Sequence, residues 1–284
     1  MRIANHDGRA VLVLGEDKGV DIERASHGEL GPSIADLYPR WDEVVAWVST
    51  LGDVGDLVAD VVIDPDLLGA PSPRPTQAIA IGLNYEEHAH ETGYQVPTQL
   101  PPVFAKFASS ITGPRGLVDL PPGGHTDWEV EVVAVIGRTA HRISPDEAWG
   151  HVAGLTVGQD LSERISQMAG PAPQFGLAKS FPGFSPMGPW LVTPEELADP
   201  DDLALGCAID GETVQDGRTS KLIFSIPRSI AALSQVLTLL PGDVVFTGTP
   251  DGVGLGRSPQ RFLRPGETLR TWVEGIGEMV HTFR

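Results

Sequence analysis

Three carboxylates near the middle of the chain have the spacing expected of a metal site. Glu129 and Glu131 alternate with apolar residues in DWEVEVVAVIG, so on a strand their side chains point to the same face. Both faces of this strand become apolar toward its end, which predicts that it is buried. Two buried carboxylates repel each other and need a proton, a basic partner or a cation. An exposed strand end is the alternative for these two residues.

Asp160 is the third carboxylate, and it follows the apolar stretch 152–158, where a strand should end. Two Glu and one Asp, all oxygen ligands with no Cys, suit a hard divalent cation such as Mg²⁺ or Mn²⁺. Arg164 and Gln167 are three residues apart and could share a helix face just beyond Asp160. An Arg beside a bound cation would attract a small anionic substrate.

A second chemical motif is the histidine-rich stretch YEEHAHE at residues 85–91. On a helix His88 and Glu91 would be in contact, and a carboxylate that orients an imidazole makes a general base. A polar surface helix with an incidental pair is one alternative. A cupin metal motif is another, but it would need Glu near the positions that Tyr94 and Gln95 occupy.

The glycine-rich segment GTPDGVGLG at residues 248–256 follows a predicted strand and could bind phosphate. No capped helix and no Gly-Lys-Ser/Thr follows it, so a nucleotide site is disfavoured. A tight loop over a small ligand fits better, with Thr247 and Thr249 as hydroxyl donors. No Gly-x-Ser-x-Gly motif offers a serine nucleophile.

The elements that must position these residues are mostly short strands. Few helices and no regular strand–helix alternation argue against a doubly wound fold. Asn84 is predicted to cap the helix that carries the histidines. The predicted strands are 11–14 and 20–22, joined as a hairpin, then 78–82, 103–107, 127–137, 152–158 and 244–247. The predicted helices are 41–48, the histidine-rich stretch and 225–238.

The proline-rich segment LGAPSPRPTQ at residues 68–77 is predicted to be a stiff linker. It divides the chain into a small α+β N-terminal domain, residues 1–72, and a β-rich main domain, residues 73–284. Both parts together are long enough to bury a core without disulfides or a structural metal.

Composition excludes several classes of partner. The 284 residues carry a net charge of −18 and only four lysines, so nucleic acid and anionic membrane surfaces are poor partners. Cys207 is the only cysteine and lies in an apolar stretch, which predicts core packing. No signal-peptide layout and no run of about 18 apolar residues is present, so a cytoplasmic location is expected.

Six segments, in order and spanning residues 78–256, together resemble the fumarylacetoacetate hydrolase family and its short-chain branch. They are GLNYEEHAHE, PPVFAKFASSITGP, DWEVEVVAVIG, GLTVGQDLSER with Gln167 after it, AKSFPGFSPMGPWL and LLPGDVVFTGTPDGVG. Each segment is weak alone, whereas their common order and spacing are highly specific.

The resemblance implies a mixed β-sandwich roll as the catalytic domain, a small N-terminal domain before it, and a homodimer. It implies that Glu129, Glu131 and Asp160 bind Mg²⁺, Mn²⁺ or sometimes Ca²⁺. It also assigns a water-activating pair on a mobile lid helix to His88 and Glu91. The remaining site residues that the resemblance implies are Lys179 as a catalytic lysine and Arg164, Gln167, Thr249, Lys106 and Tyr85 as substrate-binding residues.

The chain departs from the family pattern directly after Arg164. Members often have Asp there, whereas this chain has Ile165. The change removes a possible orienting carboxylate and leaves the position of the Arg164 guanidinium in question.

The function that the resemblance implies is hydrolysis of the C–C bond of an acylpyruvate-type 2,4-dioxo acid through a metal-stabilised enolate. Closure of the segment 86–100 would bring His88 to deprotonate the attacking water. Two alternatives stay open. One is an isomerase or decarboxylase of a 2-oxo or 2-hydroxydienoic acid, oxaloacetate included, in aromatic or sugar-acid catabolism. The other is a non-catalytic metal-binding descendant. The lid and the segment 169–175 are expected to set specificity.

Overall fold

The fold is built mainly from strands, and its helices are short. A computed structural model describes residues 1–52 and 57–284. The strands of these ranges are β1 (Arg2–His6), β2 (Arg9–Val13), β3 (Lys18–Asp21), β4 (Val61–Val62), β5 (Leu68–Gly69), β6 (Ala78–Ile81), β7 (Val103–Lys106), β8 (Ile111–Thr112), β9 (Arg115–Val118), β10 (Thr126–Asp127), β11 (Val130–Ile136), β12 (Val152–Gln159), β13 (Ser162–Glu163), β14 (Ser185–Val192), β15 (Ala204–Ile209), β16 (Glu212–Arg218), β17 (Val244–Phe246), β18 (Thr268–Val273) and β19 (Gly277–Phe283). The helices are α1 (Ile22–Ala25), α2 (Ile34–Leu37), α3 (Trp41–Thr50), α4 (Glu86–Glu91), α5 (Arg164–Met168), α6 (Phe175–Ala178) and α7 (Ile226–Ser234).

Two mixed sheets carry the fold. The larger sheet has the order β4-β3-β2-β1-β14-β12-β11-β17-β6-β7, with β5 beside β1 and β8 beside β14. The smaller sheet has the order β16-β15-β18-β19-β9, and β10 pairs separately with β13. Antiparallel neighbours predominate, while β17 runs parallel to β6. The predicted fold class, mixed and β-rich with few helices, is therefore confirmed.

The N-terminal strands belong to the same sheet as the strands of the site. β1 pairs with β14 in the register Arg2↔Val192. The proline-rich segment is packed against the main part of the chain, since the Ser72 hydroxyl donates to the Gly242 carbonyl at 2.6 Å. The division into domains at residue 72 stays a prediction, but the sheet runs through both parts.

β11 lies inside the larger sheet, between β12 and β17, and is buried along its whole length. Its even-numbered side chains join the core cluster between the two sheets. Val133 and Val135 point to the other face, into a cluster that contains Trp41 and Val44 of α3. Each buried valine contributes roughly 1.5–3 kcal/mol. The predicted two-sided burial of this strand is confirmed, and it fixes where Glu129 and Glu131 lie.

Most other predicted elements are found. The hairpin of β2 and β3, helix α3 and strands β6, β7, β12 and β17 occur within a few residues of the predicted bounds. The helix predicted at 225–238 ends at Ser234, where the Ser234 hydroxyl accepts from the Ile143 N–H at 3.1 Å. Among the described residues, no helix combines the length and apolarity that crossing a bilayer requires.

The predicted cap of α4 is wrong. Tyr85, not Asn84, directly precedes the helix, and its side chain makes no capping hydrogen bond. The Asn84 amide instead donates to the carbonyls of Phe224 and Thr247, at 2.9 and 2.8 Å, and accepts from the Phe224 N–H. Because a buried amide must satisfy its own donors and acceptor, Asn84 ties the start of α4 to the end of β17.

His281 is an ionisable group buried in the smaller sheet. Its Nε2 is 3.0 Å from the Gly113 carbonyl, and its Nδ1 has no hydrogen-bond partner among the described residues. Burial lowers the pKa of this imidazole to about 4, so it is neutral in the folded protein near pH 7.

Acidification is expected to destabilise the fold through His281. The unfolded imidazole has a pKa of about 6.5, so as the pH falls the unfolded state takes up a proton before the folded state does. The free energy of unfolding should therefore decrease as the pH falls from about 6.5 to 4, by on the order of 3 kcal/mol in all. Urea unfolding at pH 7.5 and pH 5 measures the loss.

The control for this prediction is a histidine on the surface. His281→Gln keeps a hydrogen-bond donor but removes the titration, so its stability should fall less between these pH values. His141 is exposed, and His141→Gln should lose as much stability on acidification as the unchanged protein. Equal losses in both variants would show that His281 is not the titrating group.

Candidate active site

The adjoining ends of β11 and β12 bring the three predicted carboxylates together. The Asp160 N–H donates to the Glu129 carbonyl at 2.9 Å, which continues the ladder one residue beyond β12. Carboxylate oxygens of Glu129, Glu131 and Asp160 lie within 4.8 Å of one another, and all three residues are buried. The alternative of an exposed strand end is therefore excluded.

Basic side chains surround this carboxylate cluster. Lys179 Nζ lies between two of its members, 2.6 Å from Glu129 Oε2 and 2.6 Å from Asp160 Oδ2. Arg164 Nη2 is 2.7 Å from Glu129 Oε1. Lys106 Nζ donates to Asp160 from behind and to the Lys179 carbonyl at 2.6 Å. Two of the four lysines of the chain are thus committed to one buried cluster.

The cations act unequally on the two glutamates. Burial alone would raise the pKa of Glu129, but Lys179 and Arg164 outweigh it and lower that pKa to about 2. Burial and the charges of Asp160 and Glu129 together raise the pKa of Glu131 well above its usual value. The Lys179 pKa is raised despite burial, because Asp160 and Glu129 stabilise the ammonium form.

Glu131 shows that a cation fits the cluster. Within the described part of the chain it makes no ion pair, and its Oε2 accepts one hydrogen bond, from the Gly248 N–H at 2.8 Å. Two buried glutamates and an aspartate, with no sulfur or imidazole among them, offer the oxygen ligands that a hard divalent cation prefers. The three carboxylates could hold a metal ion, which would supply the positive partner that Glu131 lacks.

Arg164 and Gln167 lie on one face of α5, as predicted. Arg164 Nη1 donates to Gln167 Oε1 at 2.9 Å, and both side chains are buried. Glu163 caps the helix, accepting from the Ser166 N–H at 2.7 Å. Ile165 is half exposed and faces away from the site. A carboxylate at position 165 would point to solvent in this conformation, so the departure there leaves Arg164 in place.

Asp127 supplies the orienting carboxylate and was missed in the sequence. Its Oδ2 is 2.9 Å from Arg164 Nε and 2.8 Å from Arg164 Nη2. The same carboxylate accepts from the N–H groups of Gly254 and Leu255, at 2.7 and 2.9 Å. Asp127 therefore joins Arg164 to the glycine-rich loop. The sequence carries a signal for this role, because Asp127 alternates with Glu129 and Glu131 and so points to the same side of the chain.

The predicted contact of His88 with Glu91 is present. His88 Nδ1 and Glu91 Oε1 are 2.8 Å apart on α4, and the histidine is buried. Glu91 Oε2 accepts from the Gly252 N–H at 2.9 Å, so the pair is anchored to the glycine-rich loop. A Cβ added to Gly256 would lie 2.6 Å from Glu91 Oε2. The loop thus needs glycine there to let the carboxylate approach.

The hydroxyls predicted near the ligand have different surroundings. Thr249 Oγ1 accepts from Gln215 Nε2 at 2.8 Å and borders the cavity. The Thr247 hydroxyl donates to the Val132 carbonyl at 2.8 Å, so the prediction that it donates to a ligand is wrong. The Tyr85 hydroxyl is buried and has no hydrogen-bond partner among the described residues. Burial raises the Tyr85 pKa.

A small cavity of about 40 Å³ lies over the carboxylate cluster. Such a volume holds only a few water molecules. Its wall contains seven of the predicted site residues: His88, Glu129, Glu131, Arg164, Gln167, Lys179 and Thr249. Four others, Tyr85, Glu91, Lys106 and Asp160, lie behind this wall in the described structure. The rest of the wall is mainly apolar.

Comparison with known proteins places this site in a family. The model of the fumarylacetoacetate (FAA) hydrolase C-terminal region matches residues 77–284. The human mitochondrial protein named oxaloacetate tautomerase FAHD2A is 43% identical over 213 residues, which cover 75% of this chain and 68% of that protein.

Solved structures give the same result. A Mycobacterium smegmatis structure, provisionally called an HpcE protein, has a TM-score of 0.92 at 52% identity and covers 100% of this chain and 99% of its own. Maleylpyruvate hydrolase from Sphingobium sp. SYK-6, in complex with manganese(II) and pyruvate, has a TM-score of 0.77 at 27% identity, covering 100% and 98%. The chain belongs to the fumarylacetoacetate hydrolase family, in its short-chain branch.

Proposed function

We propose that this protein is a divalent-metal-dependent hydrolase that cleaves the C–C bond of an acylpyruvate-type 2,4-dioxo acid. The observation that carries the proposal is the His88–Glu91 pair, 2.8 Å apart, whose imidazole lines the same cavity as Glu129 and Glu131 of the carboxylate cluster. A base that activates water and a site for a cation are the two parts that such a hydrolysis needs.

Glu129, Glu131 and Asp160 would hold the cation, for which we propose Mg²⁺ or Mn²⁺, with Ca²⁺ compatible with the same oxygen ligands. When bound, the cation supplies Lewis acidity that stabilises negative charge on the 2-oxo acid. The similarity to a hydrolase solved with manganese and pyruvate supports this assignment.

The basic residues of the wall would bind the substrate. Arg164 is fixed by Asp127 and Gln167, so its guanidinium is preorganised to meet an anionic oxygen. Lys179 and the Thr249 hydroxyl lie on other parts of the same wall. They would bind the substrate's carboxylate and polarise its 2-oxo carbonyl. Tyr85 and Lys106 would act from behind the wall, Lys106 by holding Asp160.

His88 would act as the general base. Glu91 engages Nδ1, which leaves Nε2 as the nitrogen that takes a proton from water. The resulting hydroxide attacks the distal carbonyl, and the C–C bond breaks with its electron pair on the pyruvate fragment. The imidazolium then returns the proton to that fragment, so the products are a carboxylic acid and pyruvate.

The cavity over the carboxylate cluster is small for such a substrate. Its volume of about 40 Å³ suits a few waters, and a five-carbon acid would need more room than this conformation gives. We propose that α4 and the residues after it, up to about residue 100, move outward to admit a substrate and then close over it.

A homodimer and a cytoplasmic location also stay predictions.

An isomerase or decarboxylase of a 2-oxo acid, oxaloacetate included, is the second candidate. The similarity to a protein named oxaloacetate tautomerase favours it, and the same imidazole could move a proton at carbon instead of from water. An assay of acetylpyruvate, fumarylpyruvate, oxaloacetate and a hydroxyheptadienedioate with Mg²⁺ separates the candidates. Turnover of none of the four by the metal-loaded protein would favour a non-catalytic metal-binding role.

Removing Glu131 and removing His88 are expected to have different consequences. Glu131→Gln should abolish activity and weaken Mn²⁺ binding by more than about 10²-fold, because a ligand charge is lost. His88→Gln should reduce acetylpyruvate hydrolysis by about 10²–10⁴-fold and leave Mn²⁺ binding intact. Calorimetric titration with Mn²⁺ and a steady-state assay measure both. Full hydrolysis of acetylpyruvate by the His88 variant would contradict the role of His88 as general base.

A methyl group at Gly256 is expected to disturb the base without touching the carboxylate cluster. Its Cβ would lie 2.6 Å from Glu91 Oε2 and push this carboxylate away from His88. Gly256→Ala should therefore lower kcat by about 10-fold or more while Mn²⁺ affinity stays unchanged. Gly150→Ala is the matched control, because a Cβ there meets nothing within 4 Å. Equal kcat values in the two variants would contradict the role of Glu91.

A further inference from the structure

The basic groups that line the cavity are all gathered at its carboxylate end. They are His88, Arg164 and Lys179, and each is already paired with a carboxylate. Arg164 lies 2.7 Å and Lys179 2.6 Å from Glu129. Within the described residues, the remaining wall offers no cation to a substrate.

That remaining wall is largely apolar. Leu83, Met168, Phe175 and Leu255 form it together with Ile81 and the ring of Tyr94. The hydroxyl of Thr92, the small polar residue of this wall, donates to the His88 carbonyl at 2.7 Å. A group that reaches past the carboxylate cluster would therefore contact hydrocarbon.

Movement of the neighbouring segments cannot bring a lysine or an arginine of their own into the cavity. Residues 86–102 contain three glutamates but no Lys or Arg. Residues 165–178 contain no Lys or Arg, and neither does the glycine-rich loop at 248–256. Apart from His90 on α4, the opening that admits a substrate would thus expose apolar and acidic side chains, with no lysine or arginine among them.

We propose that the substrate's end remote from the 2-oxo carboxylate is short and uncharged, so that the site selects apolar-tailed 2-oxo acids over diacids of the same length. The inference rests on the proposed function, because it assumes that the 2-oxo carboxylate binds at the cluster. A second carboxylate against the apolar wall would lose its hydration without gaining a partner.

This preference would separate the chain from relatives named for diacids. Maleylpyruvate has a carboxylate at each end, and the hydrolase named for it is 27% identical to this chain. Oxaloacetate lies outside the inference, because its second carboxylate is one CH₂ from the oxo carbon and stays near the basic groups. The short acyl group of acetylpyruvate, by contrast, matches an apolar wall.

A matched pair of six-carbon acids tests the proposal without depending on turnover. 2-Oxohexanoate and 2-oxoadipate differ only in their far end, a methyl group or a carboxylate, and neither has the 4-oxo group needed for hydrolysis. Their dissociation constants are measured by calorimetry on the full chain with saturating Mn²⁺. 2-Oxohexanoate is expected to bind at least about tenfold more tightly.

The variant Met168→Lys places a cation in the apolar wall. Met168 is half exposed, so a lysine there can keep its ammonium partly hydrated. This variant should bind 2-oxoadipate about tenfold more tightly than the unchanged protein and bind 2-oxohexanoate within about twofold. Met168→Gln, similar in size and uncharged, should gain nothing for the diacid.

The outcomes separate the inference from the function on which it rests. Tighter binding of 2-oxoadipate than of 2-oxohexanoate by the unchanged protein would overturn the inference alone. No gain for the diacid in Met168→Lys would overturn the assignment of this wall to the far end. Failure of both acids to bind in the presence of Mn²⁺ would overturn the proposed function, and the inference with it.

Discussion

The structure depends on compensating a group of carboxylates that is buried inside an apolar core. Asp127, Glu129, Glu131 and Asp160 are buried where two strands end, and Lys106, Arg164 and Lys179 surround them. Removing so many charges from water costs several kcal/mol each unless partners replace the lost hydration. The sheet tolerates this because the cations reach the cluster from different elements, β7, α5 and the end of α6.

The elements that carry the carboxylates differ from the element that carries the base. β11 and β12 are buried on both faces, so the carboxylates that they carry have little freedom. The base, in contrast, lies on α4, a six-residue helix attached through Asn84 and the Glu91–Gly252 hydrogen bond. A site with a charged floor on buried strands and a short helix as its cover can exchange ligands by moving the helix, without disturbing the charges.

The sequence predicts the parts of the site that follow strand and helix periodicity. Alternation placed Glu129 and Glu131 on one face, and helical spacing placed His88 beside Glu91 and Arg164 beside Gln167. Periodicity does not predict a side chain that forms hydrogen bonds with backbone far along the chain. Asn84 looks like a helix cap, but its amide partners are 140 and 163 residues away. Asp127 follows the same alternation as Glu129 and Glu131, but its backbone partners, Gly254 and Leu255, lie 127 and 128 residues further along the chain.

The hydrogen bond from Gly252 to Glu91 bears on the timing of the reaction. His88 and Glu91 both lie on α4, so outward movement of α4 would carry the pair away from the carboxylate cluster and break the Gly252–Glu91 hydrogen bond. Water would then be activated only while the ligand is enclosed. A ligand whose shape kept α4 open could still be bound and polarised by the charged floor, yet it would escape hydrolysis. In such an enzyme the choice between cleaving an acid and merely rearranging it would rest with the fit of the cover.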